Sequence, residues 1–389
     1  MVPSGWELSN VSEISDTAMG YAFKSCDFVT DGMPLIRMGN LYQNQLQLDR
    51  NPVYLPNSFA KEYSRFVLRS GDLVMSMTGT MGKRDYGFTV KIPKGTPDSL
   101  LNQRVMKFAA KENTLISFLL YLLKSEYVLN RLYAFPGGTK QANLSAKQVG
   151  EIPFFLPPLP EQRKIAEILS TWDKAISSTE RRIYNSQQQK KALMQQLLTG
   201  KKRFSEFQSG WLFGSFTDLF KIENDKKTQI KSSEYCETGK TPVIDQGKSK
   251  IAGYSDHTFI YTNIPAIIFG DHTRIIKWID FAFVIGADGT QVLKTTNKLF
   301  QKFGYFLLTN TNIPNLGYSR HMRELKKNDF KYPSDIKEQQ KIASVLTASD
   351  KEIELLEQQL SDLKQEKKAL MQQLLTGKRR VKIKEVEAA

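Results

Sequence analysis

The side chains of this 389-residue chain that could act on another molecule are mostly hydrogen-bond donors set in loops. Lys83 and Arg84 follow a glycine turn, Asn102, Gln103 and Arg104 follow an apolar run, and Lys140 and Gln141 close the loop Gly137-Gly138-Thr139. In the second half, His272 and Arg274 belong to Gly270-Asp271-His272-Thr273-Arg274, expected to be a turn after a buried strand. Arg320, His321 and Arg323 form a basic cluster beside Tyr318. Guanidinium and ammonium groups hold phosphates, while Arg, Lys, Asn, Gln and His can reach base edges, so the chemistry on offer is recognition. Plainer readings stand beside it. Asn102 suits a scaffold role as well as a contact, His321 taken alone is an ordinary surface histidine, and Lys326-Lys327 reads as a solvated helix face.

Bond-breaking chemistry has little to work with. Cys26 and Cys236 are too few and too far apart for a thiolate zinc site or a disulfide framework, and His257, His272 and His321 lack zinc-type spacing. Thr78-Gly79-Thr80-Met81-Gly82 lacks the spacing and the Lys-Ser/Thr ending of a phosphate-binding loop. No metal or cofactor is expected in the chain itself. Fifty-five Lys+Arg against forty Asp+Glu give a net charge of +15, which favours polyanionic partners such as nucleic acid. With 40% hydrophobic and 24% charged residues, the composition is that of globular domains. No apolar run reaches membrane-spanning length, and Met1–Trp6 has no basic region leading into an apolar stretch, so a cytoplasmic protein is expected.

The elements that must position these loops are announced by an internal repeat. Residues 161–203 and 338–380 align without a gap and share 24 identities in 43 positions, among them Lys190–Gly200 recurring letter for letter as Lys367–Gly377. Both copies carry a heptad seam: Ile165, Leu169, Trp172, Ile176, Ile183, Leu193 and Leu197 in the first, and Ile342, Leu346, Ile353, Leu356, Leu360, Leu363, Leu370 and Leu374 in the second. Lys190 and Lys367 interrupt the two seams at matching positions, where they fix register, meet a partner helix or snorkel. Trp172 packs in the core or faces a partner. Gly200 and Gly377 stand where a glycine would stop each helix, and Pro157-Pro158-Leu159-Pro160 marks the first helix's start.

A wet apolar stripe is unstable, so the two helices are expected to pair. A helix over 161–199 is roughly 58 Å long at 1.5 Å per residue. The intervening segment 205–337 has an expected diameter of only roughly 35–40 Å and a short link before it, which favours antiparallel helices with one globular head at each end. The boundaries read as a head over 1–156, a helical region over 157–204, a second head over 205–337, a second helical region over 338–384 and a tail over 385–389. The heads echo each other in Ser4-Gly5-Trp6 and Ser209-Gly210-Trp211, and in Pro34–Gly39 and Pro242–Gly247. A looser echo links Gly71–Ser76 with Pro265–Gly270. Short apolar runs bounded by Gly, Pro and Asn predict strands, and Leu115–Leu132 and Lys298–Leu308 predict helices. The fold class is α+β: two mixed α/β domains separated by an antiparallel coiled coil of two long repeated helices.

This arrangement resembles the specificity subunit of type I restriction–modification enzymes over nearly the whole chain. The residues that carry the resemblance are Leu156-Pro157-Pro158-Leu159-Pro160-Glu161-Gln162-Arg163-Lys164-Ile165-Ala166, the Lys331-Tyr332-Pro333 and Glu338–Ala343 counterpart, the duplicated Leu-Met-Gln-Gln-Leu-Leu-Thr-Gly helix ends, and Gly71-Asp72-Leu73-Val74 with Gly79–Lys83. The second helix entry lacks the Pro-Pro-Leu run. The resemblance implies that each head is a target recognition domain reading one half of a bipartite sequence in double-stranded DNA. It further implies that the coiled coil sets the spacer and holds two methyltransferase subunits, which supply S-adenosylmethionine, and that ATP-dependent restriction subunits join where present. Neither an Asn/Asp-Pro-Pro-Tyr/Phe motif nor a glycine-rich cofactor loop occurs, so the chain is expected to be non-catalytic. The alternative is a basic coiled-coil scaffold whose heads bind no specific DNA.

Overall fold

The computed structural model describes residues 2–135, 141–317 and 319–383. Two compact units divide the chain. One comprises Met1–Ser178 with Leu360–Ala389, the other Thr179–Gln359. Both long helices, Leu159–Leu197 and Ile336–Leu374, are 39 residues long, and each contributes one part to each unit.

The two units are built on one plan. In the first, a four-stranded antiparallel sheet runs in the order Ser15–Met19, Val105–Ala110, Leu73–Ser76, Thr89–Lys91. In the second, the order is Phe220–Ile222, Thr290–Thr295, Ala266–Gly270, Ile276–Ile279. Each sheet's third strand is fully buried, Leu73–Ser76 in one and Ala266–Gly270 in the other, which is why these runs are apolar at every position but Ser76 and Gly270 rather than alternating. Each unit also contains a parallel pair, Met33–Ile36 with Ser99–Leu101 and Thr241–Ile244 with Val284–Ile285. A further antiparallel pair ties each unit's entry to its exit: Glu7–Asn10 with Pro153–Leu156, and Trp211–Ser215 with Asp329–Pro333. The sequence echoes at Pro34 and Pro242 thus mark corresponding strands.

The helix expected over Leu115–Leu132 is two helices, Ile116–Lys124 and Glu126–Ala134. Ser125 breaks it, its Oγ accepting from the Val128 N–H as an N-cap. In the second unit the corresponding helix is Gln301–Thr309. Its start is set from outside, because the Phe300 N–H donates to the side chain of Gln339 at 2.7 Å.

That glutamine shows how the long helices seize the heads. Gln162 and Gln339 are both 0% exposed. Gln162 accepts from the Leu115 N–H and donates to the carbonyls of Asn113 and Pro157, all at 2.9 Å. Gln339 repeats the set with Phe300, Lys298 and Pro333. The preceding glutamates are held alike. Arg203 grips Glu338 through two bonds of 2.9 and 2.7 Å, and Arg380 grips Glu161. Such forked, charge-assisted pairs fix orientation as well as distance. The apolar core continues from each sheet onto the helices, reaching Ile165, Leu169, Met371 and Leu374 in the first unit and Met194, Leu197, Ile342 and Leu346 in the second.

Within each unit the helix segments run antiparallel. In the first, Asp173 pairs with Lys367 and Glu161 with Arg380 just past the second helix's end; in the second, Lys190 pairs with Asp350 and Ser186 lies against Glu352. The partner's number falls as the first helix's number rises. Lys190 and Lys367 therefore meet aspartates of the facing helix. Both helices end on a left-handed glycine, Gly200 at φ +71° and Gly377 at φ +68°, followed by N–H bonds from Lys202 to the Gln196 carbonyl and from Arg379 to the Gln373 carbonyl.

Replacing Gln339 by alanine strips three backbone groups of their buried partner. The expected loss is about 2–4 kcal/mol, read by chemical denaturation, and Gln162→Ala should match it within error.

Candidate nucleic-acid interface

In the first unit the candidate residues gather around the segment that leaves the central strand Leu73–Ser76. The Met77 N–H donates to the Arg104 carbonyl at 3.0 Å, which seats the Asn102–Arg104 turn beside it. Thr78–Thr80 then pairs with Gln141–Asn143, bringing Gln141 opposite Thr80. The Thr80 N–H donates to Asp85, closing the turn that carries Lys83 and Arg84. Gln103, Arg104, Lys83 and Gln141 are exposed, and among the described residues no salt bridge engages Lys83 or Arg104. Arg84 is committed elsewhere: its guanidinium donates to Glu126 at 2.9 Å and to Asn130 at 2.7 Å. Asn102 is half-buried and its side chain accepts from the Arg104 N–H, so it shapes the turn it stands in. Lys140 lies outside the described residues.

The second unit assembles its candidates at the corresponding strand end. Asp271 follows the buried strand Ala266–Gly270 and is the organiser. Its carbonyl accepts from the His321 N–H, and its carboxylate accepts from the Met322 N–H at 2.6 Å. Arg320 and Arg323 are exposed, and with Lys326 they line a shallow basic cleft. His272 is half-buried, with Nδ1 3.2 Å from the Ser319 carbonyl. Arg274, at φ +61°, donates to the Ile313 carbonyl at 3.0 Å.

His321 overturns its expected role. It is 0% exposed, with Nδ1 2.9 Å from the Asp271 carbonyl and Nε2 accepting from the Leu316 N–H. Both ring nitrogens are spent inside the fold, so it is a strut and not a contact. Flanking arginines in the sequence suggested a basic surface, and they are on it; the histidine between them points inward.

Sequence reasoning missed the loop 37–51. Arg37, Arg50 and Asn51 line a cleft of about 390 Å³ together with Asn102, Gln103 and Arg104. Arg37 donates to the Asn51 carbonyl, and the Arg50 guanidinium lies over the Tyr42 ring, 4.0 Å from its centroid. Three arginines and four amides, Asn40 among them, in one cleft match the donor and acceptor types that read base edges and phosphates. The available signal was the amide-rich run Gln43-Asn44-Gln45 after the Gly39 turn. Among the described residues no cluster of three His, Cys, Asp or Glu could hold a metal. No helix among them is long and apolar enough to cross a membrane.

Of the residues expected in the helix seam, Ile165, Leu169, Ile183, Leu197, Ile342, Leu346, Leu356 and Leu374 are buried. Trp172, Ile176, Leu193, Ile353, Leu360, Leu363 and Leu370 are half-buried.

Comparison with known proteins assigns the family. The type I restriction modification DNA specificity domain matches residues 3–186 and again 208–365, and the chain belongs to that family. It is 24% identical, over 98% of its length and 95% of the other's, to a putative type I restriction enzyme MjaX specificity subunit of Methanocaldococcus jannaschii. It is 30% identical to the MjaVIII specificity subunit of the same organism, over 52% of this chain and 47% of that one. The fold is shared with the type I restriction–modification S subunit from M. genitalium, at TM-score 0.64 and 17% identity, covering 96% of this chain and 99% of that one. A chain from a structure of complex assembly and conformational transition in a type I R-M system gives 0.57 at 16% identity, over 97% and 100%. The chain's function is thus DNA recognition in a type I restriction–modification system.

Arg104→Ala should weaken DNA binding ten- to a hundredfold, as loss of one good base or phosphate contact does, and leave thermal unfolding unchanged. His321→Ala should do the reverse, lowering stability by about 2–3 kcal/mol through the orphaned Asp271 and Leu316 groups. Filter binding and calorimetry on both variants separate the roles.

Proposed function

We propose that each unit reads one half of a bipartite, asymmetric target in double-stranded DNA. The observation that carries this reading is one framework with unlike loops. Asn102 and Gly286 both follow the parallel partner strand and both donate their N–H to the end of the strand beside it, at Ile36 and Ile244. From that shared point the first unit continues with Gln103-Arg104 and the second with Ala287-Asp288. A donor pair and an acidic residue in matching places favour different bases, because major-groove edges differ in their donor and acceptor order.

The chain acts without catalysis of its own, holding two methyltransferase subunits that bring S-adenosylmethionine, and restriction subunits where a system has them. The two helices set the spacer between half-sites, and their duplicated sequence suits duplicated partners. The scaffold alternative, with no sequence preference, lacks a reason for donor-lined clefts beside each central strand.

Methylome mapping of cells that express this chain with its methyltransferase should return one split motif. Exchanging residues 1–156 for another head should change one half only, and lengthening both helices equally should lengthen the spacer alone. A motif altered in both halves by the single exchange would contradict independent readers.

A further inference from the structure

Two loops occupy the same place in the two units; the first holds only short 3₁₀ turns over Met38–Asn44, interrupted at Leu41–Gln43, and the second has neither helix nor strand. Residues 37–51 follow the strand Met33–Ile36, and residues 245–250 follow Thr241–Ile244. The first loop is locally awkward, with Gln43, Asn44 and Asn51 at φ of 52°, 61° and 50°. Backbone of that kind persists only where surrounding contacts over-determine it.

In each unit one buried polar side chain supplies several of those contacts at once. Asn40 is 3% exposed, and its amide donates to the carbonyls of Gln47 at 2.9 Å and Arg50 at 3.0 Å while accepting from the Arg37 N–H at 2.9 Å. Lys277, 8% exposed, sits on the strand Ile276–Ile279 opposite Ile268. Its ammonium donates to the carbonyls of Asp245 at 2.7 Å and Ser249 at 2.6 Å, with an Asp245 carboxylate oxygen at 3.6 Å. Burial drives the Lys277 pKa below the usual lysine range, with Asp245 pulling the other way. A lysine buried on a core strand is costly unless its charge is met, and here every partner that meets it belongs to the loop. An apolar residue would serve the sheet better. What Lys277 serves is the loop.

We infer that Asn40 and Lys277 are positioning residues for target reading, each bracing the loop that presents base-facing side chains from its own unit. The inference rests on the half-site reading proposed above. Asn40's loop exposes Gln43, Gln45 and Arg50 and shares its cleft with Asn102–Arg104. Lys277's loop exposes Lys248, Ser249 and Lys250. The neighbouring Gln246 accepts from the His272 N–H and donates to the Asp288 carbonyl, so this loop joins the second unit's candidate turn. An amide from within the loop and an ammonium from a neighbouring strand are unrelated solutions. Their convergence on one task marks the loop's shape as what matters.

The test uses the full chain assembled with its methyltransferase subunits, on duplexes carrying the mapped target and every single-base change in both halves. Lys277→Met should relax one half, so that changes costing the wild type tenfold or more cost the variant less than threefold, and leave the other half as discriminating as before. Asn40→Leu should relax the opposite half. A loop-tip variant, Lys248→Ala with Ser249→Ala, leaves the core intact and should alter preference in the same half as Lys277→Met without lowering the unfolding temperature. Uniform weakening with base preferences retained in Lys277→Met, or unchanged preferences in the tip variant, overturns the inference while the half-site reading stands. A wild-type complex that discriminates in neither half defeats that reading, and this inference falls with it.

Discussion

The structure depends on two aspartate–lysine crossings between the long helices. Asp173 meets Lys367 in one unit and Lys190 meets Asp350 in the other. Each lysine sits at a position the apolar seam would otherwise claim, where the side chain is mostly shielded, at 15% and 19% exposure. Apolar packing alone is indifferent to a slip of one heptad, whereas a lysine in the seam is satisfied only opposite its carboxylate. Burial also brings Lys124, close to Asp173 and Lys367, down to about 8, and Lys302, near Asp350 and Lys190, to the same value. The charge of each crossing is therefore set within a partly dry environment to which helix and head both contribute walls.

From this register the rest follows in matched steps. The buried glutamines Gln162 and Gln339 start the head helices at a fixed place, and the Glu161–Arg380 and Glu338–Arg203 forks close the ends of the helix pair in each unit. Below that level the two units cease to match. One places an exposed donor pair on the turn after its parallel strand, the other an acidic residue. One braces its loop with an amide and the other with an ammonium. A shared frame with divergent loops lets target reading vary without disturbing assembly, since loop tips carry few of the contacts that stabilise the core.

How much of this was legible in the sequence differs by scale. The helices were, because a repeat and a heptad seam are written in many residues at once; Leu159–Leu197 and Ile336–Leu374 begin two residues before the expected starts. The pairing of Lys190 with Asp350 could not be read, since the facing residue depends on direction and register. Strand echoes at Pro34 and Pro242 were visible, yet the loop after them was not, because nothing in Asn40 or Lys277 announces burial. His321 illustrates the limit most sharply. Its neighbours are surface arginines, and the Asp271 carbonyl, far off in sequence, together with the Leu316 N–H turns the ring inward. The helix expected across Ser125 failed for a local reason, a serine better used as a cap than as helix interior.

The register itself can be tested by a double-mutant cycle on Asp173 and Lys367, run beside one on Asp173 and Asp350. Antiparallel pairing predicts a favourable coupling of roughly 1 kcal/mol for the first pair and none for the second. Coupling between Asp173 and Asp350, the residues that a parallel alignment of the repeats would bring together, with none to Lys367, would contradict the account.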